Sequence, residues 1–157
     1  MNTLVENYIN GARKASIGGS TQDIFNPATG EAIAQVTMST ATDVNTAVQA
    51  AKEAFPAWRD TPPVKRARVM FAFNQVLQAN TDKIAETLTR EHGKTFEDAK
   101  GEVIRGIEVV EFACGIPQLL KGTFNEQIAT GVDAHSVRQP LGVVVGITPF
   151  NFPAMVP

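Results

Sequence analysis

One stretch near the end of the chain, residues 141–157, constrains the fold more than any other. It reads L-G-V-V-V-G-I-T-P-F-N-F-P-A-M-V-P, and its first half is an apolar, β-branched run. Such a run is typical of a strand buried on both faces of a parallel sheet. Pro149 and Pro153 cannot donate ladder hydrogen bonds, so the strand is predicted to end around Asn151. Because ligands bind outside the carboxyl ends of strands in open α/β sheets, this pattern predicts an α/β fold with a site at Asn151.

Composition narrows the class of protein. The chain has 157 residues, 43% of them hydrophobic, and a formal net charge of -2. That length suits one domain, and the charge gives no basic surface for nucleic acid or an anionic membrane. No apolar run approaches the ~20 residues that span a bilayer. The only cysteine, Cys114, excludes an internal disulfide framework, and we expect a cytoplasmic protein that binds small molecules.

Several segments together resemble one known family. They are Y-I-N-G, I-F-N-P-A-T-G-E, E-H-G-K, G-E-V-I-R-G-I-E-V-V-E-F and G-I-T-P-F-N-F-P. These closely resemble the aldehyde dehydrogenase superfamily, and P-F-N-F-P-A-M-V-P looks most like its CoA-acylating methylmalonate-semialdehyde dehydrogenases. The resemblance implies that residues 1–157 are the N-terminal portion of a Rossmann-like NAD-binding domain, with β-hairpin arms and a helical block. It also implies an oligomerisation arm at about 118–140 and a catalytic domain absent from this sequence.

Local signals predict two hairpins before the helical block. Asn10-Gly11 predicts a turn within residues 7–14, because both residues tolerate positive φ. The loop N-P-A-T-G-E predicts a second hairpin, between Ile24-Phe25 and residues 32–36. After the helices, residues 133–140 are expected to form an edge or protruding strand that leads into the buried one.

Four helices are predicted from their start and stop signals. The N-terminal caps are expected at Thr40, Thr61, Asn80 and Thr95, and the ends at Pro56, Gly93 and Gly115 with Pro117. The first helix has an apolar face with residues three and four positions apart. The fourth is apolar around most of its circumference, which predicts burial on more than one side. Trp58 and the phenylalanines are expected in the core.

Asn151 and the four residues before it are the strongest site candidates. The Asn151 side chain could donate to the oxyanion that forms on an aldehyde carbonyl, or it could cap a helix that begins near Pro153. The resemblance favours the oxyanion role. It also implies that Ile147, Thr148, Pro149 and Phe150 contact the nicotinamide half of NAD, although this pattern also suits a strand end packed in the core.

Arg105 is the candidate for substrate recognition. A guanidinium can bind a carboxylate through two parallel hydrogen bonds, which suits a semialdehyde that carries an acid group. The alternative is an intrahelical ion pair with Glu102 or Glu108. Cys114 is predicted to be a core residue, because the carboxyl end of a helix disfavours a thiolate nucleophile.

The resemblance implies an NAD-dependent parent enzyme that uses coenzyme A as the acyl acceptor. Such an enzyme oxidises a semialdehyde through a cysteine thioester to propionyl-CoA or acetyl-CoA with loss of CO2, and it assembles as a homodimer or homotetramer. The 157 residues alone are expected to be inactive. Two alternatives stay open: another NAD(P)-dependent aldehyde dehydrogenase, such as the succinate-semialdehyde type, and a non-catalytic oligomerisation module.

Overall fold

The computed structural model describes residues 3–157, in which a helical block separates two β-rich regions. The first two residues of the predicted unit 1–157 lie outside this range. The strands are β1 (Thr3–Val5), β2 (Asn7–Ile9), β3 (Ala12–Lys14), β4 (Thr21–Phe25), β5 (Ala32–Thr37), β6 (Phe124–Ala129) and β7 (Val132–His135). The helices are α1 (Ala41–Asp60), α2 (Pro63–Ala79), α3 (Thr81–His92), α4 (Phe96–Cys114) and α5 (Ile116–Leu119). Within the described range, every helix is too short or too polar to cross a membrane.

Both predicted N-terminal hairpins are confirmed. Strands β2 and β3 pair antiparallel, and the turn residues Asn10 and Gly11 have φ values of 53° and 75°. Strands β4 and β5 pair antiparallel across the N-P-A-T-G-E loop, where Gly30 has a φ of 74°. Strand β1 adds to β5 in parallel, so the sheet has the order β1-β5-β4.

A buried carboxylate joins this β-rich region to α1. Asp43 and Thr40 form the predicted capping box, in which the Asp43 carboxylate accepts from the Thr40 amide at 2.7 Å. The same carboxylate accepts from the Ser16 hydroxyl at 2.7 Å and from the Ile17 amide at 3.1 Å. Hydrogen bonds from the Thr40 amide, the Ser16 hydroxyl and the Ile17 amide hold the pKa of Asp43 well below its usual range.

The core of the helical block lies between α3 and α4. Ala85, Leu88 and Ala99 are buried there, with Phe96 packed against them. Helix α2 also packs against α4, and Cys114 is buried at the end of α4, as predicted. Helix α3 ends at Gly93, also as predicted, and Gly93 adopts the left-handed conformation with a φ of 85°.

Three predicted helix boundaries need correction. Helix α1 continues through Pro56 to Asp60, so Pro56 costs one helical hydrogen bond without ending the helix. Thr61 does not cap α2, because its hydroxyl donates back to the Ala57 carbonyl of α1. Asn80 stands at the predicted start of α3, but its side-chain amide donates to the preceding helix instead of accepting from α3.

Several apolar faces predicted to be buried are exposed. The exposed residues include Val44 and Val48 of α1, Trp58, and Ile104, Val109 and Phe112 of α4, and most phenylalanines are exposed with them. Periodicity shows which side of a helix is apolar but not which chain segment covers it. Within residues 3–157 no element covers these sides.

The C-terminal region also differs from the prediction. The strand expected within residues 133–140 is β7, which ends at His135 and pairs with β6 in a hairpin that was not predicted. The run at 141–148 forms no strand, and Val145 is 79% exposed. A buried strand needs neighbours on both sides, and none of the described strands pairs with this run.

The buried Asp43 carboxylate gives a pH-dependent prediction. Its folded pKa lies below the ordinary value of 3.8, so its charge stabilises the fold above that value and the stabilisation is lost as pH falls through the folded pKa. We expect Asp43→Asn to lower the urea midpoint at about pH 6, and the difference from the wild type to narrow as pH falls below about 4.

The companion variant Ser16→Ala removes only one of the hydrogen bonds to this carboxylate. It should therefore give a smaller difference in the urea midpoint with the same pH trend. A difference between wild type and Asp43→Asn that stays constant down to about pH 3 would contradict the assignment.

Candidate functional site

The candidate site is a stretch of residues 147–155, called here the site segment, whose last residues contact α4. Its end forms a turn in which the Val156 amide donates to the Phe152 carbonyl at 3.3 Å. Ala154 packs against the core cluster between α3 and α4. A Cβ atom on Gly106 would lie 3.4 Å from the Cα atom of Met155, so this glycine lets the segment approach the helix closely.

An ion pair between half-buried Lys94 and buried Glu102 binds the site segment to the helices. The Lys94 ammonium contacts one carboxylate oxygen of Glu102 at 2.5 Å and donates to the Asn151 carbonyl at 2.7 Å. The second carboxylate oxygen of Glu102 accepts from the amides of Ala154 and Met155, at 2.8 and 3.1 Å. Two side chains thus fix the backbone of the segment on both sides of Phe152.

The local sequence explains why these two side chains meet. Gly93 ends α3 in the left-handed conformation and Thr95 caps α4, so Lys94 is the single residue between two helix ends. Glu102 lies two turns into α4, on the same face as Ala99 and Gly106. Ala99 and Gly106 have small side chains, so the site segment can approach the helix closely on that face.

The charge of Glu102 is stabilised despite its burial. The residue is only 2% exposed. Burial alone would raise its pKa, but the hydrogen bond from Lys94 and those from the Ala154 and Met155 amides lower the pKa of Glu102 below its ordinary value. The Lys94 ammonium also lies 4.3 Å from the centre of the Phe152 ring, which adds a cation–π contact.

The Asn151 side chain is exposed, whereas its backbone carbonyl is bound. Its amide makes no hydrogen bond to any other described residue. Among the described residues its side chain accepts no hydrogen bond from the turn that follows, and its alternative role as a helix cap stays a prediction. The side chain therefore has its hydrogen-bonding capacity available for a ligand, which is what an oxyanion donor requires.

The predicted cofactor residues also form an exposed surface. Ile147 is 96% exposed and Phe150 is 87% exposed, and Thr148 and Pro149 between them are exposed as well. Within residues 3–157 they form no core, and the alternative of a strand end packed in a core stays a prediction. Their role towards NAD stays a prediction.

Arg105 is exposed on α4, one turn beyond Glu102 and next to Gly106. Glu102 is engaged by Lys94, and Arg105 has no ion-pair partner within residues 3–157. The intrahelical pair considered as an alternative is thus not formed. Its guanidinium is free to bind an external carboxylate.

Sequence reasoning missed Lys94 and Glu102. Both lie inside motifs that pointed to the family, E-H-G-K and G-E-V-I-R-G-I-E. The available signal was a lysine directly after a helix-ending glycine together with an acidic residue on the small-residue face of the next helix. Their contacts with the site segment span more than fifty positions, so no local pattern reveals them.

The family follows from a direct comparison. The model of the aldehyde dehydrogenase family matches residues 14–157. The chain belongs to this family. This match confirms the resemblance noted in the sequence. It also confirms the predicted fold class, an α/β N-terminal portion of an aldehyde-dehydrogenase-type domain.

This aldehyde dehydrogenase chain is similar both to curated proteins and to proteins of known structure. It is 52% identical to a malonate-semialdehyde dehydrogenase of Pseudomonas aeruginosa over 157 residues, which is 100% of this chain and 31% of that protein. A structure from Sinorhizobium meliloti, described as a methylmalonate-semialdehyde dehydrogenase complexed with NAD, matches with a TM-score of 0.95 and 48% identity over 99% of this chain and 32% of its own.

A methylmalonate-semialdehyde dehydrogenase structure from Oceanimonas doudoroffii matches almost as well. Its TM-score is 0.93 at 49% identity, again over 99% of this chain and 32% of its own. This aldehyde dehydrogenase chain therefore spans about a third of the length of the relatives that it matches.

The close approach at Gly106 gives a second prediction. In Gly106→Val the larger side chain should displace Met155 and weaken its hydrogen bond to Glu102, because the space there ends at the segment backbone. We expect hydrogen exchange of a peptide containing Ala154 and Met155 to accelerate about tenfold, measured by mass spectrometry.

Gly101→Val is the matched control, since nothing lies within 4 Å of a Cβ atom at that position of the same helix. It should leave exchange in the site segment unchanged. Equal acceleration in the two variants would show that the effect comes from a general loss of helix stability.

Proposed function

We propose that the whole protein carrying this chain is an NAD-dependent, CoA-acylating (methyl)malonate-semialdehyde dehydrogenase. The observation that carries the proposal is an exposed, unengaged Asn151 side-chain amide. The backbone carbonyl of the same residue is bound by Lys94, just before α4, the helix that also presents Arg105. The identity of 52% to a malonate-semialdehyde dehydrogenase supports the substrate class. The proposed reaction converts the semialdehyde through a cysteine thioester to an acyl-CoA with loss of CO2.

Asn151 is proposed to stabilise the oxyanion. When a thiolate adds to the aldehyde carbon, negative charge develops on the carbonyl oxygen, and a fixed amide N–H stabilises it better than water does. The nucleophile cannot be Cys114, because that thiol is buried at the end of α4. It is expected elsewhere in the whole protein.

The residues at 147–150 are suited to one face of a nicotinamide ring. Ile147 and Phe150 supply exposed apolar surface, and the exposed backbone around Thr148 supplies hydrogen-bonding groups that could orient a carboxamide. NAD, when bound, supplies the hydride acceptor. The chain's own contribution is to orient the ring and to exclude water from that face.

Arg105 is proposed to bind the substrate carboxylate, and coenzyme A to accept the acyl group. A succinate-semialdehyde dehydrogenase would need a carboxylate anchor as well, so Arg105 does not separate these two activities. The substrate and acyl-acceptor requirements do separate them.

The β6–β7 hairpin is the proposed oligomerisation arm, within about residues 118–140, of a homodimer or homotetramer. Apolar side chains on it, including Phe124 and Ile128, are exposed, and its edges are unpaired within the described chain. Because Cys114 is a free thiol, we also propose a reducing, cytoplasmic location.

The decisive assay measures NADH formation by the purified whole protein. Malonate, methylmalonate and succinate semialdehydes are compared with and without CoA. CoA-dependent turnover of the first two supports the proposal, whereas CoA-independent turnover of succinate semialdehyde supports the alternative enzyme. No turnover of any aldehyde supports the non-catalytic module.

Asn151→Ala should lower kcat about 100- to 1,000-fold with little change in KM, because the lost donor acts mainly in the transition state. Asn45→Ala, which removes an exposed asparagine side chain from α1, is the matched control and should retain full activity. An unchanged kcat in Asn151→Ala would refute the oxyanion role.

Arg105→Gln should raise KM for malonate semialdehyde about 10- to 100-fold, because it removes a charged hydrogen-bonding partner of the carboxylate. The KM for propanal, which has no carboxylate, should not change. Arg68→Gln, at an exposed position of α2, is the control. A parallel loss with both aldehydes would show that Arg105 does not recognise the carboxylate.

A further inference from the structure

We propose that Lys94 and Glu102 are positioning residues that set the place of the oxyanion donor Asn151. The inference rests on the proposed function, since it concerns how the Asn151 amide is aimed. Neither side chain needs to touch the substrate. Both act through the backbone of the site segment.

The contacts of Lys94 reach the residue that bears the donor. Its ammonium donates to the Asn151 carbonyl at 2.7 Å and lies 4.3 Å from the centre of the next side chain, Phe152. Because the carbonyl and the side chain leave the same Cα atom, fixing the carbonyl restricts where the side-chain amide can point. No other described side chain donates to or accepts from Asn151.

Glu102 fixes the other side of the same turn. One of its oxygens accepts from both the Ala154 and the Met155 amide, and the other binds Lys94. The turn is therefore bound at its two ends by one ion pair, whose members start from rigid places: a one-residue link between two helices, and the second turn of α4.

The rest of the segment gives Asn151 little support. The residues directly before it are exposed, and Asn151 itself is exposed. Burial begins only at Phe152 and Ala154. Without the ion pair, the backbone at Asn151 would be tethered only from its C-terminal side, and a displacement of about 1 Å can cost on the order of a hundredfold in rate.

A double-mutant cycle in the whole enzyme tests the proposal. Lys94→Met should lower kcat about 10- to 100-fold, with KM for the semialdehyde changed less than about threefold. If Lys94 acts through Asn151, adding Lys94→Met to Asn151→Ala should lower kcat by less than about twofold more. Activities are compared per NAD-binding site, so that unfolded protein does not contribute.

The conservative and control variants separate positioning from general stability. Lys94→Arg keeps the charge and should recover most of kcat. Glu102→Gln keeps an acceptor for the two amides but turns an NH2 donor towards Lys94 and so removes the bond between them, while the bond from Lys94 to the Asn151 carbonyl remains, so it should give an intermediate loss. Lys100→Met, on the same helix as Glu102, breaks the surface ion pair with Asp82 of α3 and should leave kcat unchanged.

Three different results would overturn the inference. If Asn151→Ala loses activity but Lys94→Met lowers kcat equally in both backgrounds, the positioning role is wrong while the proposed function stands. If Asn151→Ala retains full kcat, the oxyanion role itself is wrong and the inference fails with it. A loss in Lys94→Met that appears only as a lower thermal midpoint, with normal kcat per site, would also refute positioning.

Discussion

The Lys94–Glu102 ion pair is the interaction on which the candidate site depends. The two other ion pairs of residues 3–157 are at the surface, where such pairs contribute little. In this pair Glu102 is buried and Lys94 is half-buried, and both carboxylate oxygens of Glu102 have a donor. It joins the α3–α4 link, the middle of α4 and the site segment. Local helix structure and a long-range contact therefore depend on the same two side chains.

Gly93 ends α3 and so places Lys94 between the two helices, and position 93 requires glycine for two independent reasons. Its φ of 85° lies in the region that favours glycine, and a Cβ atom there would come within 2.8 Å of Pro27 Cγ. The N-P-A-T-G-E loop between β4 and β5 therefore packs against the end of α3. Gly93 thus connects the β-rich region, the end of α3 and the lysine that binds Asn151.

Features fixed by neighbouring residues could be predicted from the sequence. The turn at Asn10 and Gly11, the capping box at Thr40 and the end of α3 each depend on only a few positions. Local signals failed at Pro56, Thr61 and Asn80, where the residues of the preceding helix decide the boundary. The other misses concern features set by distant partners. Residues 141–148 have the composition of a buried strand but pair with nothing in the described chain, and the apolar sides of α1 and α4 are exposed for the same reason. Glu102 was interpreted as a possible ion-pair partner of Arg105, because the two residues are three positions apart in the sequence. The sequence does not show that Glu102 contacts the amides of Ala154 and Met155, which are more than fifty positions away.

The choice of an ion pair at this place has a physical rationale. Apolar packing would also keep the site segment on α4, but it is non-directional and would leave the turn free to slide. A carboxylate that accepts two amides and an ammonium that donates to a carbonyl fix both distance and direction. Buried pairs of this kind contribute little net stability, because desolvation offsets most of the attraction. Their benefit is a defined backbone geometry, and a defined geometry is what an oxyanion donor on an exposed turn requires.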